Sequence, residues 1–244
     1  MLKRISACLI VKDGFFTRTK NFNPDHLYSA LHLDKKFFDE ITFINITERV
    51  TSDKFLSFLK PQIKNCFLPI TIGGGIRKIE EVDFLFEIGA DRVILNEALW
   101  SNSKLIEKIA YKYGSQAVVA SIDIKFFEGK YIAYDWRNKK IRNKFLPDVL
   151  MSNANIIGEI LLQSVDRDGS VQGFDGLALK SLNHALNKFV PLNIASGFGK
   201  WDHYSDVLKL PEVNCVSVQN VHHMSAIAIQ GLKAHCKNLG IPIR

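Results

Sequence analysis

The stretch Pro69-Ile70-Thr71-Ile72-Gly73-Gly74-Gly75 and its counterpart Pro191-Leu192-Asn193-Ile194-Ala195-Ser196-Gly197 decide the fold. Each is a short, mostly apolar run that ends in glycine, as expected of a buried strand that turns sharply at its carboxyl end. The two runs lie about half the chain apart. A second pair has a similar separation, Cys8-Leu9-Ile10-Val11-Lys12 and Ser121-Ile122-Asp123-Ile124-Lys125. The chain is therefore predicted to contain two similar halves.

Short β-branched runs alternate with amphipathic segments along the whole sequence. The predicted strands are residues 5–10, 41–46, 70–72, 92–95, 117–123, 160–163, 192–195 and 215–219. Alternation of this kind requires parallel strands joined by right-handed crossovers, and eight strands close a barrel. We predict a single α/β domain over residues 1–244, a (β/α)8 TIM barrel built from two duplicated half-barrels. Residues 131–136 are predicted to form a β-hairpin over the end of the fifth strand.

The composition favours a globular protein that works away from membranes and nucleic acids. Hydrophobic residues make up 47% of the 244 residues, which is enough for one sizeable core. No apolar run approaches the roughly 20 residues that cross a bilayer, and the first run is too short for a signal peptide. The net charge is +7, but the 32 basic residues are interleaved with 25 acidic ones, which favours a solvated surface over a nucleic-acid footprint. We expect a cytoplasmic protein with no membrane or nucleic-acid partner.

Metal and cofactor chemistry finds little support in the sequence. Four cysteines lack CxxC spacing and are expected to be free thiols in a reducing compartment: Cys8, Cys66, Cys215 and Cys236. The pair His222-His223 follows the eighth predicted strand, but adjacent side chains point apart and no carboxylate stands at ligand spacing. A surface or capping role is the favoured interpretation of the pair. We predict no metal and no cofactor.

Two glycine-containing segments at predicted strand ends are candidates for anion binding. Gly73-Gly74-Gly75 ends the third strand, where backbone N–H groups can converge without side-chain obstruction. Asp166-Arg167-Asp168-Gly169-Ser170 follows the sixth strand. Glycines after strands often form only tight turns, so as isolated strings the two alternatives are evenly balanced. Their position favours function, because ligands of such barrels bind at the carboxyl ends of the strands.

Six segments together resemble the cyclase subunit family of imidazole glycerol phosphate synthase from end to end. They are Arg4-Ile5-Ser6-Ala7-Cys8-Leu9, Gly73-Gly74-Gly75-Ile76, Ile88-Gly89-Ala90-Asp91-Arg92-Val93, Ser121-Ile122-Asp123-Ile124-Lys125, Gly158-Glu159-Ile160-Leu161-Leu162 and Ser164-Val165-Asp166-Arg167-Asp168-Gly169. The resemblance implies an enzyme of histidine biosynthesis in which a bound glutaminase makes ammonia. The ammonia travels through the barrel to a substrate with a phosphate at each end. The related isomerase of the same pathway fits less well.

The resemblance also implies roles for individual positions. Asp123 is implied as a catalytic carboxylate, and Asp91 as a contact with the glutaminase in a heterodimer. The implied ammonia gate consists of the charged residues just before four strands, Arg4, Glu40, Arg92 and Glu159. Charged residues commonly flank strands, so each of these residues taken alone is most simply a solvated strand end. All four charge signs, however, match the family. The implied substrate or phosphate contacts are Gly74, Gly75, Asn96, Asp168, Gly169, Gly197 and Asn220.

Departures from the family pattern point to altered chemistry. Ile10 stands where the family has its other catalytic aspartate, and one general acid or base contributes roughly 10²- to 10⁴-fold in rate. Ordinary cyclase activity is therefore expected to be severely reduced. Asn45 replaces another aspartate, and Phe198 replaces a glycine. Glu97 replaces a threonine; aimed at a phosphate about 4 Å away, it would cost on the order of 4 kcal/mol at an effective dielectric near 20.

Three hypotheses follow for the function. The first is an ammonia-relaying subunit that pairs with a glutaminase and serves a changed acceptor, a small phosphorylated or sugar substrate, as in amidination of surface sugars by paralogues resembling this cyclase. The second is a working cyclase of histidine biosynthesis, a lyase-class activity, with an altered proton relay. The third is a scaffold or regulatory barrel without chemistry.

Overall fold

The computed structural model describes residues 2–28, 37–47, 49–64, 66–142, 146–182, 190–219 and 227–244. The strands in these ranges are β1 (Arg4–Lys12), β2 (Phe15–Lys20), β3 (Asn23–Tyr28), β4 (Glu40–Asn45), β5 (Ile70–Gly73), β6 (Arg92–Leu95), β7 (Val118–Phe127), β8 (Lys130–Asp135), β9 (Lys140–Ile141), β10 (Glu159–Ser164), β11 (Leu192–Ala195) and β12 (Val213–Val218). The helices are α1 (Asp53–Ile63), α2 (Ile79–Glu87), α3 (Glu97–Ser101), α4 (Ser103–Tyr113), α5 (Leu146–Ser152), α6 (Gly176–Leu182), α7 (Trp201–Leu208) and α8 (Ile227–Asn238).

Eight parallel strands close into a barrel. They pair in the order β10, β11, β12, β1, β4, β5, β6 and β7, and pairing of β7 with β10 completes the ring. Every one of these pairings is parallel. The predicted (β/α)8 fold is therefore confirmed, and the predicted strands match the observed ones except at their ends, where β1 and β7 run on beyond the barrel.

The first strand of each half continues into an antiparallel hairpin. β1 pairs with β2 and β2 with β3, while β7 pairs with β8 and β8 with β9. The turns are alike, because Asp13-Gly14 and Glu128-Gly129 both have two consecutive residues at positive φ, which glycine tolerates and a tight hairpin requires. The equivalent hairpins agree with the predicted duplication. The second hairpin was predicted from sequence, whereas the first, formed by β2 and β3, was not.

Both faces of the barrel strands are buried, as in other parallel sheets with helices outside. Outward side chains such as Ile41 and Ile72 belong to one large core with helix residues such as Leu59, Leu85 and Ile106. Burial of each such side chain stabilises the fold by roughly 1.5–3 kcal/mol. A separate aliphatic cluster lies inside the barrel and is formed by Ile44, Ile94, Val119, Leu161 and Ala195.

The four cysteines are free thiols, and three of them, Cys8, Cys215 and Cys236, are buried. Among the residues that the structure describes, no helix is long and apolar enough to cross a bilayer. The same residues contain no group of three histidine, cysteine or acidic side chains placed to hold a metal ion. His222-His223 lies outside the described residues.

Gly74 is required by the close approach of the loop after β5 to β4. A Cβ at this position would lie 2.0 Å from the backbone oxygen of Asn45, and the residue has φ +111°. Gly89 has a similar φ of +109°, but a Cβ there would meet nothing within 4 Å. We expect Gly89→Ala to lower the free energy of unfolding by about 1 kcal/mol, through backbone strain alone. Gly74→Ala should lower it by at least about 2 kcal/mol more, because the backbone of β4 must also move. Equal losses in urea denaturation would contradict this explanation.

Candidate active site at the barrel mouth

A cavity of about 480 Å³ opens at the carboxyl ends of the barrel strands. Its walls combine strand ends with the second hairpin, and they include Ile10, Ile44, Asn45, Gly74, Gly75, Arg77, Asn96, Glu97, Asp123, Asp135, Trp136, Arg137, Arg142, Gln163 and Gln219. The cavity therefore brings together four of the predicted catalytic and binding residues, namely Gly74, Gly75, Asn96 and Asp123. Residues of the first half and of β7 dominate these predicted contacts.

Asp123 supplies the carboxylate at the bottom of this cavity. The residue is 3% exposed. Its Oδ2 accepts a hydrogen bond from Nδ2 of Asn96 at 3.0 Å, and its Oδ1 accepts one from Nε2 of Gln163 at 3.2 Å. Burial raises the pKa of Asp123 to about 7, although both amide donors favour the charged form. A carboxyl that gains and loses its proton near neutral pH is suited to general acid–base chemistry.

Gln163 is a site residue that was not recognised in the sequence. It is the last inward-facing residue of β10, directly opposite Asp123 in the β7–β10 register. Its Nε2 also donates to Oγ of Ser121 at 3.2 Å, so two contacts fix the amide. A polar residue at the carboxyl end of a buried strand was the available signal, because it has the same inward parity as Asp123.

The wall opposite Asp123 carries no carboxylate at the strand end. β1 and β7 are separated by three strands on either side of the barrel, so Ile10 and Asp123 lie on opposite walls. The neighbouring inward residue of β1 is Cys8, whose thiol accepts from Nε2 of Gln219 at 3.6 Å. Burial raises the pKa of Cys8 to about 12, so the thiol keeps its proton at neutral pH. Neither residue replaces the proton carrier that the family has there.

Glu97 forms an ion pair with a residue that follows the second hairpin. Its carboxylate lies 2.8 Å from Arg142, which also lies 3.2 Å from Asp135 and packs over the Trp100 ring at 5.3 Å. The repulsion expected between Glu97 and a phosphate is therefore weakened, because Glu97 shares the positive charge of Arg142 with Asp135. Arg142 was missed because a residue on a hairpin gives no local sign of which strand end it reaches.

The first hairpin covers the predicted anion site of the second half. The backbone N–H of Phe22 donates to the carboxylate of Asp168 at 2.9 Å, and that of Asn21 donates to its carbonyl oxygen at 3.1 Å. Gly169 lies so close to this hairpin that a Cβ would meet the oxygen of Thr19 at 2.8 Å. Asp168 and Gly169 therefore contact the hairpin and do not line the mouth cavity.

The remaining anion contacts of the second half are not brought to the cavity either. The carbonyl oxygen of Gly197 accepts from the N–H of Gly173 at 2.7 Å, and Gly197 is absent from the cavity wall. Asn220 lies outside the described residues. Asn45 does line the cavity, but its amide donates to the carbonyl of Arg49 at 3.2 Å and so also holds the loop after β4.

The amino-terminal end of the barrel is occupied by a ring of four charges, which we call the charged ring: Arg4, Glu40, Arg92 and Glu159. Each arginine contacts both glutamates. Arg4 bonds to Glu40 and Glu159, and Arg92 lies 2.6 Å from Glu40 and 3.3 Å from Glu159. The glutamates are buried and the arginine side chains are 15–17% exposed. The four residues that the sequence placed before separate strands thus form one cluster.

Neighbouring polar groups complete the charged ring. Asn193 donates to Glu159 at 3.3 Å, and the thiol of Cys215 donates to Glu40 at 3.5 Å. Burial by itself lowers the pKa of Arg92, but the charges of Glu159 and Glu40 outweigh it and raise that pKa above its ordinary value. The guanidinium groups therefore stay charged, and the charged ring is internally neutral.

The aliphatic cluster of Ile44, Ile94, Val119, Leu161 and Ala195 lies between the charged ring and Asp123. The wall of the mouth cavity includes Ile44 and Ile94 but none of the four ring residues. The ion pairs and the aliphatic side chains therefore lie in succession between the amino-terminal end of the barrel and Asp123.

Asp91 has a structural contact in addition to its implied partner role. Its Oδ2 accepts from the N–H of Ile70, the first residue of β5, at 2.7 Å. The residue is exposed at the same end of the barrel as the charged ring.

The raised pKa of Asp123 predicts a pH-dependent stability. Between about pH 4 and 7 the folded chain keeps a proton that the unfolded chain has released, so the free energy of unfolding falls as pH rises through this window. The fall should be on the order of 4 kcal/mol, from a shift of about three pH units. Asp123→Asn cannot titrate and serves as the control. Between pH 5 and pH 8, urea denaturation should record about 3 kcal/mol of this fall for the unaltered chain and not for the variant; identical pH dependence would contradict the assignment.

Comparisons with known proteins agree with this architecture. The profile of the family described as "Histidine biosynthesis protein" matches residues 5–225. The "Imidazole glycerol phosphate synthase subunit HisF" of Saccharolobus solfataricus is 32% identical over 252 residues, covering 99% of this chain and 98% of that protein. The proteins of the same name from Thermotoga sp. and Campylobacter concisus are each 33% identical, over 100% and 99% of this chain and 98% of each relative. The chain therefore belongs to the histidine biosynthesis protein family, as a relative of the HisF subunits of imidazole glycerol phosphate synthase.

Proposed function

We propose that the chain is the ammonia-accepting subunit of a glutaminase complex, with the glutaminase at the charged ring and the acceptor at the barrel mouth. The observation that supports this proposal most directly is the charged ring itself. Four buried or half-buried charges would each be costly alone, and solvation of a strand end does not require them to meet on the barrel axis. Their mutual neutralisation makes a closure that can be opened by exchange of ion-pair partners.

The layer above the charged ring suits ammonia rather than ammonium. Ammonia is small and neutral, so it can pass an aliphatic layer at much lower cost than a charged ion, whose transfer from water is strongly unfavourable. The five aliphatic side chains therefore select the uncharged form once the ring opens. The charged ring and the aliphatic cluster both lie on the proposed path, so passage of ammonia requires their side chains to rearrange. We assign this rearrangement to binding of the glutaminase.

At the mouth, Asp123 is the group that exchanges a proton with the acceptor or with the arriving nitrogen. Asn96 and Gln163 hold its two oxygens in place, so the carboxyl can change its protonation state without changing its position. With Ile10 on the opposite wall, proton transfer is confined to one side of the cavity.

The acceptor in this proposal is a substrate other than the usual one with a phosphate at each end, such as a sugar that becomes amidinated in surface polysaccharide synthesis. Two observations support a changed acceptor. Ile10 removes one proton carrier, and the first hairpin covers Asp168 and Gly169, where the family pattern implies a phosphate. Asp91 and the exposed side of the charged ring are the proposed contacts with the glutaminase.

A second candidate is the cyclase reaction of histidine biosynthesis. The relatives favour it, because those named above are HisF subunits of imidazole glycerol phosphate synthase and cover nearly all of this chain. In that case Asp123 performs the acid and base steps alone. The two candidates share the glutaminase partner and differ in the acceptor.

Binding of a glutaminase tests the part that both candidates share. The purified chain should bind the glutaminase that is encoded beside it in the same organism. Binding should raise the rate at which that glutaminase hydrolyses glutamine. Phe67, 97% exposed just before β5, lies at the barrel end of the charged ring, whereas Leu27, 53% exposed, lies on β3 near the mouth. Phe67→Ser should weaken the complex about tenfold, because a large apolar side chain leaves the interface.

Leu27→Ser is the matched control and should leave the affinity unchanged. Calorimetry gives the dissociation constants, and coupled detection of glutamate gives the hydrolysis rate. No binding of the glutaminase, or equal weakening by both variants, would overturn the proposed arrangement.

Ile10 separates the two acceptors. With the bifunctional ribulosyl substrate and ammonium ions, the unaltered chain should form cyclised product slowly, and Ile10→Asp should raise the rate by at least about tenfold by restoring a second proton carrier. Asp123→Asn should abolish cyclisation both in the unaltered chain and in the Ile10→Asp variant. Product formation at an ordinary rate by the unaltered chain, with no gain from Ile10→Asp, would instead establish the histidine candidate.

A further inference from the structure

A second cleft of about 480 Å³ lies beside the mouth cavity. Its walls are formed by three connecting segments: the loop after β4, the loop after β5 and the turn between β8 and β9. The lining residues are Thr47, Arg49, Thr51, Ser52, Arg77 and Arg137. Arg77 and Arg137 line the mouth cavity as well, so the two spaces are neighbours. We call this space the arginine cleft.

The three arginines of the cleft have no carboxylate partner among the residues that the structure describes. Other arginines of the chain are paired: Arg142 with Glu97 and Asp135, Arg18 with Asp25, Arg167 with Asp175, and Arg4 and Arg92 in the charged ring.

Glu81 and Asp53 are described acidic residues close to the cleft in sequence, whereas Glu48, between Thr47 and Arg49, lies outside the described residues. The carboxylate of Glu81 accepts from the backbone N–H groups of Arg77 and Lys78, and Asp53 begins α1 outside the cleft wall. Three like charges drawn together from separate loops repel one another unless an anion joins them. The arrangement therefore favours a bound anion of more than one negative charge.

Hydroxyl groups add hydrogen-bond donors to the cleft. Ser52 is the N-cap residue of α1, and its side chain makes no capping hydrogen bond. The first N–H groups of a helix of this length carry partial positive charge, which adds to the attraction of the arginines. Thr51 and Thr47 line the same wall. Guanidinium and hydroxyl donors around one space are the groups that bind phosphate oxygens.

We propose that the arginine cleft binds a phosphoryl group of the acceptor whose reacting part lies in the mouth cavity beside Asp123. This deepens the proposed function and rests on it for the identity of the ligand as the acceptor. Trp136 lines the mouth cavity next to Arg137 and gives the connecting part of the molecule a flat apolar surface. A sugar phosphate and a nucleoside diphosphate sugar both carry the required chemistry.

Direct binding of small anions to the full-length chain, without glutaminase, tests this inference. In isothermal titration at low ionic strength, inorganic pyrophosphate and inorganic phosphate should both bind more tightly than acetate, because acetate carries only one negative charge. Arg49→Gln, Arg77→Gln and Arg137→Gln should each weaken pyrophosphate binding about tenfold, through loss of a charge-assisted hydrogen bond. Lys60→Gln removes a positive charge at the far end of α1 and should have no effect.

A phosphate affinity equal to that of pyrophosphate would favour the sugar phosphate source, and a clear preference for pyrophosphate the nucleoside diphosphate source; both support the cleft. Absence of pyrophosphate binding, acetate binding as tight as pyrophosphate binding, or equal weakening by Lys60→Gln would each overturn it. Glutaminase stimulation is measured separately, at the opposite end of the barrel. A chain that stimulates the glutaminase but binds no pyrophosphate loses this inference and keeps the proposed function.

Discussion

The charged ring is the interaction on which the remaining architecture depends. Arg4, Glu40, Arg92 and Glu159 alternate in sign, so every member lies beside two opposite charges. Such a ring forms only when β1, β4, β6 and β10 have the register that brings their first residues to one level. A shift of one strand by one residue would turn a glutamate or arginine toward the apolar helix layer, where an unpaired charge is strongly unfavourable. The ring thereby specifies strand register as well as closing the barrel.

Layering along the barrel axis follows from this closure. Above the charged ring lie the five aliphatic side chains, and above them Ser121, Gln163, Asn96 and Asp123. Asp123 lies buried above these layers, and burial raises the pKa of its carboxyl to about 7. The aliphatic layer thus contributes to the desolvation of the acid above it.

The sequence predicted those parts of the structure that depend on strand periodicity. Buried parallel strands are continuous apolar runs, so all eight could be located. The roles of Asp123 and of the charged ring were instead implied by the family resemblance. Contacts made by hairpins and loops could not be predicted in the same way. Nothing local to Arg142 indicates that it reaches Glu97, and nothing local to Arg49 or Arg137 indicates that they share a cleft. The Asp13-Gly14 turn was a readable hairpin signal that was missed.

The equivalent hairpins of the two halves make different contacts at the barrel mouth. Each hairpin extends from the first strand of its own half and reaches the loops of the other half. The hairpin from β1 donates Phe22 to Asp168 and covers a predicted anion site, whereas the hairpin from β7 brings Arg137 and Arg142 to the first half. The two meet over the mouth, where the rings of Phe22 and Trp136 are 6.2 Å apart. A duplicated barrel therefore has an asymmetric mouth: among the described residues, the hairpin contacts Asp168 and Gly169 on one side, and arginines line the other. In the proposal made above, the negative charge of the acceptor lies on the side of the arginines.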